Sequence, residues 1–294
     1  MNVKDLNILV TGSEGFVGRR LVRILKSQDT SVIELDIKNG VDLTNWDQLS
    51  NSVKNISSLD VIVHLAALVF IPFSFKNPRL TYITNVLGTV NMSELARVKN
   101  VKRFVFASSY VYGSPQYLPI DENHPLQAMS PYNRSKILSE EVCKGYHEDY
   151  GISCVVLRPF NIYGPGQNKE FLIPEIIDQI SSKKIILQDP IPKRDYVYID
   201  DMVSAYLKAV AYEGTGYDVF NIGSGQSYSV QELVDKVISL SGKKDVTVTY
   251  THKKREHDIV DIVADIKKAK EKLKWQPTID INKGLSLLLK DTQD

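Results

Sequence analysis

Short, nearly unbroken apolar runs recur through the first half of the chain, separated by stretches with helical spacing. The runs are Asn7-Ile8-Leu9-Val10, Val32-Ile33-Glu34-Leu35, Val61-Ile62-Val63-His64-Leu65, Phe104-Val105-Phe106 and Cys154-Val155-Val156-Leu157. Runs so short and so rich in β-branched and aromatic residues predict strands covered on both faces, as in a parallel sheet. Phe16 to Lys26 and the stretches near 80 to 98 and 131 to 149 supply the intervening helices. The alternation predicts an α/β fold, a Rossmann-type doubly wound parallel sheet whose ligands lie at the carboxyl ends of its strands.

Beyond Arg158 the rhythm loosens, with turns at Gly164-Pro165-Gly166 and Gly214-Thr215-Gly216 and an amphipathic helix from Val230 to Leu240. We expect a dinucleotide-binding domain over 1–163, with segments near 195–224 returning to its sheet, and a smaller substrate-binding domain over 164–294.

Composition narrows the function classes. The 294 residues carry 36 Lys+Arg against 35 Asp+Glu, a formal charge of +1, so no general affinity for nucleic acid or acidic membranes is expected. Lysines between Lys267 and Lys274 alternate with apolar positions and predict the wet face of a helix. Cys143 and Cys154 are the only cysteines and form no Cys-x-x-Cys, which argues against a zinc site or a disulfide framework. Two reduced thiols, a polar N-terminus leading into a strand, and no apolar stretch long enough to span a bilayer together predict a cytoplasmic protein.

Two local patterns carry chemistry. Thr11-Gly12-Ser13-Glu14-Gly15-Phe16-Val17-Gly18 follows a strand and opens a helix, the setting in which glycines let the backbone approach a pyrophosphate. The second strand ends in Asp36, 18 residues after Gly18, where an acid accepts hydrogen bonds from an adenosine ribose and favours NAD over NADP. Lys38 moderates that preference, and Asp42 and Leu43 are placed to flank the adenine. The second pattern is Tyr132-Asn133-Arg134-Ser135-Lys136. Ser130 is a plausible N-cap and Pro131 fits the first helical position, so Tyr132 and Lys136 lie one turn apart on one face. A nearby ammonium favours the phenolate form of a tyrosine and so makes it a better base.

With Ser108 added, the chain resembles the extended short-chain dehydrogenase/reductase family, and within it the NAD-dependent nucleotide-sugar epimerases and dehydratases. The resemblance spans nearly the whole chain: Thr11 to Gly18, His64-Leu65-Ala66-Ala67, Asn85 to Thr89, Ala107 to Gly113, Tyr132 to Lys136, Arg158 to Gly164, Arg194 to Asp201, and Asn221 to Gly225. It implies Tyr132 as acid/base, Lys136 as its tuner and ribose contact, and Ser108, three before Val111, as the hydroxyl that orients the substrate alcohol. It implies cofactor contacts at Gly12, Gly15, Phe16, Val17, Gly18, Asp36, Asp42, Leu43, Leu65, Ala66, Ala67, Asn85, Pro159 and Ile162. Ser109, Asn161, Leu172, Arg194, Tyr196 and Arg255 would contact a nucleotide-diphosphate sugar, arginine being suited to bidentate phosphate binding. His64 reads better as a satisfied strand-end residue than as a catalyst. Phe70, Phe73 and Phe75 stand near the expected sugar pocket, with core packing the better reading for at least one.

The resemblance also ranks reactions. A 4-epimerase of UDP-glucose and UDP-galactose, acting through a transient 4-keto sugar, is the leading expectation. A 4,6-dehydratase would need an Asp-Glu pair after the catalytic hydroxyl, where this chain has Ser109 and Tyr110. A reductase of nucleotide-linked 4-keto sugars uses the same Ser, Tyr and Lys and stands second; a non-catalytic NAD sensor would not need the Tyr-Lys pair. The segment Ile185 to Arg194 is trimmed, and Val69 is apolar where some galactose epimerases carry a lysine. The helices near 80 to 98 and 131 to 149 match those that pair in this family as a four-helix bundle, which implies a homodimer.

Overall fold

The computed structural model describes residues 3–253 and 259–291. In chain order the first half comprises β1 (Asn7–Thr11), α1 (Phe16–Ser27), β2 (Ser31–Leu35), α2 (Trp46–Ser52), β3 (Val61–His64), α3 (Ile71–Lys76), α4 (Pro78–Tyr82), α5 (Gly88–Val98), β4 (Arg103–Ala107), α6 (Pro131–Tyr150) and β5 (Cys154–Pro159). The helix expected near 80 to 98 is α4 and α5 joined by a π turn over Ile83–Leu87. The second half contributes β6 (Asn161–Tyr163), α7 (Leu172–Ile180), β7 (Lys184–Leu187), β8 (Lys193–Tyr198), α8 (Ile199–Ala211), β9 (Tyr217–Ile222), β10 (Ser227–Ser229), α9 (Val230–Ser241), β11 (Thr247–Tyr250), β12 (Asp261–Ile262) and α10 (Ile281–Asp291).

Six strands form the central sheet in the order β2-β1-β3-β4-β5-β9, every neighbouring pair parallel. Side chains alternate across it as the strand period requires. Ile8, Val10, Val155 and Leu157 enter a core with Leu21 and Leu25 of α1 and Met202 and Val203 of α8. Leu9, Ile62, Phe104, Phe106 and Val156 enter the opposite core with Met92 and Leu95 of α5 and Cys143 of α6. Both faces are therefore covered, which is why these strands read as continuous apolar runs rather than alternating ones. The chain leaves β1 for β2 on one side and returns to β3 on the other, so the carboxyl ends of β1 and β3 flank a crevice.

A second layer gathers around β8, which pairs with β10, β12 and β6, while β7 pairs with β11. Two buried aspartates lock this layer in place. Asp195 accepts hydrogen bonds from the backbone of Ser224, Gly225 and Ala264 and from the Ser224 hydroxyl. Asp201 accepts from Thr278 and Ile279, and its carbonyl takes the Trp275 indole N–H at 2.9 Å, so the chain's last segment is held to α8. Lys267 to Lys274 enters a short helical segment with a π turn over Ala269–Leu273, whose apolar side, Ala269 and Leu273, is buried.

Candidate active site

The crevice between β1 and β3 is built for a close approach of backbone to ligand. Gly12 has φ +67° in a turn where an added Cβ would stand 2.8 Å from the Ala66 nitrogen. At Gly18 an added Cβ would stand 2.0 Å from the Gly12 carbonyl, so α1 packs directly on the turn that precedes it. Gly15 is the N-cap of α1 and offers no capping side chain, which leaves the helix's first N–H groups to an outside acceptor. In the same loop the Ser13 hydroxyl is buried without a partner. At the end of β2, buried Asp36 accepts from the Glu14 N–H at 3.0 Å and the Lys38 N–H at 2.9 Å, which binds the strand end to the glycine loop. Two hydrogen bonds leave a carboxylate with acceptor capacity for ribose hydroxyls. Uncapped N–H donors, a cradle with no room for side chains and a nearby carboxylate fit a dinucleotide.

A chain of buried hydrogen bonds fixes the opposite wall. The Thr11 hydroxyl accepts from the N–H groups of Leu65 and Ala66, each at 3.2 Å, so its own proton goes to His64 Nδ1 at 2.7 Å. His64 Nε2–H then faces the Thr89 hydroxyl at 3.2 Å, which donates to the Asn85 carbonyl at 2.6 Å. The ring is thus held neutral, and burial, with the Lys136 charge adding to it, pushes its pKa down to about 3. Asn85, expected to touch the cofactor, exchanges hydrogen bonds with the Leu68 backbone and donates to Ser135 Oγ. These bonds tie Leu68, which directly follows the Leu65–Ala67 loop, to α6. Asp42 is turned to the Thr44 N–H and hydroxyl, and the buried Leu43 offers its carbonyl to Asn91.

Helix α6 begins as its sequence predicts: Ser130 caps the Asn133 N–H at 3.1 Å and Pro131 opens the first turn. Tyr132 and Lys136 are both buried on its inner face. The Lys136 ammonium donates to the Ala107 carbonyl at 2.7 Å and stands 4.9 Å from the centre of the Phe106 ring. Burial pulls its pKa down to about 8, against opposing effects of Cys143 and Glu140. Burial pushes the Tyr132 phenol up to about 12, with a hydrogen bond to Ser109 pulling the other way. A phenol so placed needs further positive charge beside it to act as a base near neutral pH.

The Ser109 hydroxyl stands close enough to Tyr132 to favour its phenolate, and Ser108, the hydroxyl expected to orient the substrate alcohol, is the residue before it. The Ser108 N–H still pairs with the Leu157 carbonyl at 2.8 Å, so the pleat runs on and keeps Ser108 on the α6 face of the sheet with Phe104 and Phe106. Ser108 is turned into the interior, where it donates to Glu140. Glu140, one turn beyond Lys136, also receives Arg158 Nε at 3.0 Å and Nη2 at 2.5 Å. Arg158 stands out in the sequence only as the start of its motif and Glu140 not at all, although Glu140 continues the four-residue spacing of Tyr132 and Lys136.

On the second-layer side, Pro159 ends β5 in register with Ile222, and Asn161 and Ile162 lie in β6. Asn161 donates to the Asp195 carbonyl at 3.2 Å. Arg194 and buried Tyr196 lie two residues apart on β8, and Arg194 Nη1 donates to the carbonyls of Lys193 and Ile259. Leu172 opens α7 directly after Phe171, whose ring packs edge-on against Phe70 at 6.1 Å and is 36% exposed. Val69 is half exposed beside it. Arg255 lies outside the described residues.

Residues 8–223 match the sequence model of the NAD dependent epimerase/dehydratase family. The chain belongs to that family. It is an enzyme whose cofactor is NAD, within a group that acts on nucleotide sugars as epimerases and reductases. It is 37% identical to a putative UDP-glucose 4-epimerase of Methanocaldococcus jannaschii, over 95% of each chain. It is 29% identical to the GDP-6-deoxy-D-mannose reductase of Pseudomonas aeruginosa, over 97% of this chain and 96% of that one. Its fold is similar to that of the UDP-glucose 4-epimerase of Thermotoga maritima solved with UDP-glucose, with a TM-score of 0.91 at 28% identity, covering 98% of this chain and 99% of that one. Among the described residues no helix is long and apolar enough to cross a membrane, and no cluster of His, Cys, Asp or Glu could hold a metal ion.

Proposed function

We propose that the enzyme inverts C4 of a nucleotide-diphosphate sugar, with UDP-glucose and UDP-galactose as its pair, through a 4-keto sugar. The observation that carries this reading is the buried Tyr132, paired with Ser109 and one helical turn from the Lys136 ammonium, at the end of a dinucleotide crevice. Bound NAD supplies a reversible hydride acceptor and a positive charge. Tyr132 as phenolate takes the proton of the C4 hydroxyl, while Ser108, with Ser109 next to it, orients that hydroxyl for transfer. Lys136 stabilises the phenolate through its charge. When the sugar has turned over in the pocket, Tyr132 returns the proton to the opposite C4 alcohol, so no net oxidation occurs. To the nucleoside diphosphate we assign Arg194, Asn161, Tyr196 and Leu172 on the second-layer side.

Ser109 and Tyr110 occupy the places where elimination of water would require carboxylates, which disfavours a dehydratase. A 4-keto-sugar reductase is the second reading, favoured by the 29% identity to a GDP-6-deoxy-D-mannose reductase over nearly the whole chain. Denaturing the purified protein should release NAD, and the untreated protein should interconvert UDP-glucose and UDP-galactose with no added cofactor. Activity seen only with NADPH and a 4-keto sugar would establish the reductase instead. We further propose a homodimer: α4, α5 and α6 pack together and leave Leu80, Leu87 and Leu138 exposed for a matching pair of helices. A monomer in light scattering would contradict it.

A further inference from the structure

Two phenylalanine rings meet across the crevice. Phe70 comes from the segment that leaves the sheet after β3, as the N-cap of α3, and Phe171 from the loop before α7; their ring centres lie 6.1 Å apart at 68°. Neither ring belongs to the core on either face of the sheet, and Phe171 is open to solvent, so the contact does not serve to fill the interior. The rings are held unequally. Leu68, two residues before Phe70, exchanges hydrogen bonds with Asn85, the Phe70 carbonyl accepts the Ser74 N–H at 3.1 Å, and α3 packs against α6. Phe171 ends an exposed loop bonded mainly to itself and to α7: the Glu170 N–H donates to Asn168 Oδ1 at 3.0 Å, the Phe171 N–H to the Asn168 carbonyl at 3.1 Å, and Lys169 pairs with Asp178 at the surface. A ring on a fixed base therefore meets a ring on a lighter arm, through one edge-on contact that thermal motion opens.

We propose that Phe70 and Phe171 form a gate over the sugar, which keeps the 4-keto sugar in the pocket between its loss of hydride and its recovery. The proposal rests on the 4-epimerase reading. In that reaction no covalent bond joins the sugar to the protein. Oxidation at C4 sends the hydride to the nicotinamide and the hydroxyl proton to Tyr132, so a ketone that escapes leaves both behind and ends turnover in that molecule. The ketone must also turn over before hydride returns, so the wall that confines it cannot hold it in one orientation. Aromatic rings meet both demands, since they exclude water and make no directional hydrogen bond that would fix one face of the sugar. Their place fits as well: α3, which Phe70 caps, packs on the helix that carries Tyr132, and Phe171 directly precedes Leu172, which we assign to the nucleotide.

Purified protein given UDP-glucose without added cofactor tests the gate. Wild type should turn over steadily with its nicotinamide almost wholly oxidised. Phe171→Ala should start at a similar rate and then slow, with reduced nicotinamide per turnover up roughly tenfold in near-ultraviolet absorbance and 4-keto sugar trapped from the filtrate by hydroxylamine. Phe171→Tyr keeps the ring and should restore wild-type behaviour. A second readout needs no turnover. In Tyr132→Phe protein, Phe171→Ala should speed the dissociation of UDP-glucose roughly tenfold and leave that of UDP unchanged, because UDP has no sugar under the gate. Reduced nicotinamide no higher than in wild type, or equal dissociation of UDP-glucose with and without the ring, overturns the proposal. If the wild type interconverts no sugar, the functional reading has failed, and the dissociation rates alone decide whether the rings close over the sugar.

Discussion

The two sides of the crevice are built differently. On the sheet side, Tyr132, Lys136, His64 and Glu140 are buried, and their polar atoms are held by partners drawn from several strands and helices. On the second-layer side, Phe171 and Val69 are open to solvent, and Asn161 reaches its neighbour through a single side-chain bond. Buried, mutually supported groups are pre-organised for one step of chemistry, whereas an open apolar rim leaves room to vary what is held. On the proposed function, the sheet side fixes the reaction at one alcohol carbon, and the other side sets which sugar presents that carbon.

That contrast can be broken most sharply at Tyr132. Tyr132→Phe keeps the ring but removes the proton carrier, and we expect kcat to fall about 10³-fold with KM little changed, as read by steady-state assay on UDP-glucose. An intermediate effect concerns stability at low pH. His64 has a folded pKa of about 3 against 6.5 when free, so the unfolded chain binds the extra proton between those values. Stability contributed by neutral His64 is complete above pH 6.5 and is lost progressively as pH falls towards 3, so thermal melts should show a falling Tm over that window. His64→Asn should flatten that slope, and an unchanged slope would contradict the assignment. The smallest effect belongs to the rim: Phe171→Ala should raise KM by roughly tenfold or less and leave kcat nearly intact.

The same contrast explains what the sequence made legible. The glycine loop, Asp36 and the Tyr132–Lys136 pair are local spacings on single elements, and periodicity places them directly. The parallel sheet was legible because strands covered on both faces read as apolar runs. Ser108 and Ser109 were both legible as site candidates, but what each hydroxyl meets depends on how α6 lies over the end of β4: Ser108 donates to Glu140, and Ser109 stands by Tyr132. The Glu140–Arg158 pair was hidden for a similar reason, since it joins residues 18 apart through the packing of α6 on β5. The partners of Asn85 were not legible either, because Leu68 and Ser135 are brought to its amide by the fold.

The central claim is that hydride leaves and returns to the same carbon while Tyr132 moves the proton. UDP-glucose carrying deuterium at C4 tests it directly, with the purified protein in ordinary water and no added cofactor. The account predicts UDP-galactose that retains the deuterium at C4, and no such product from Tyr132→Phe on the same timescale. Product that has exchanged its C4 label with solvent, or conversion that survives Tyr132→Phe at the wild-type rate, would contradict it.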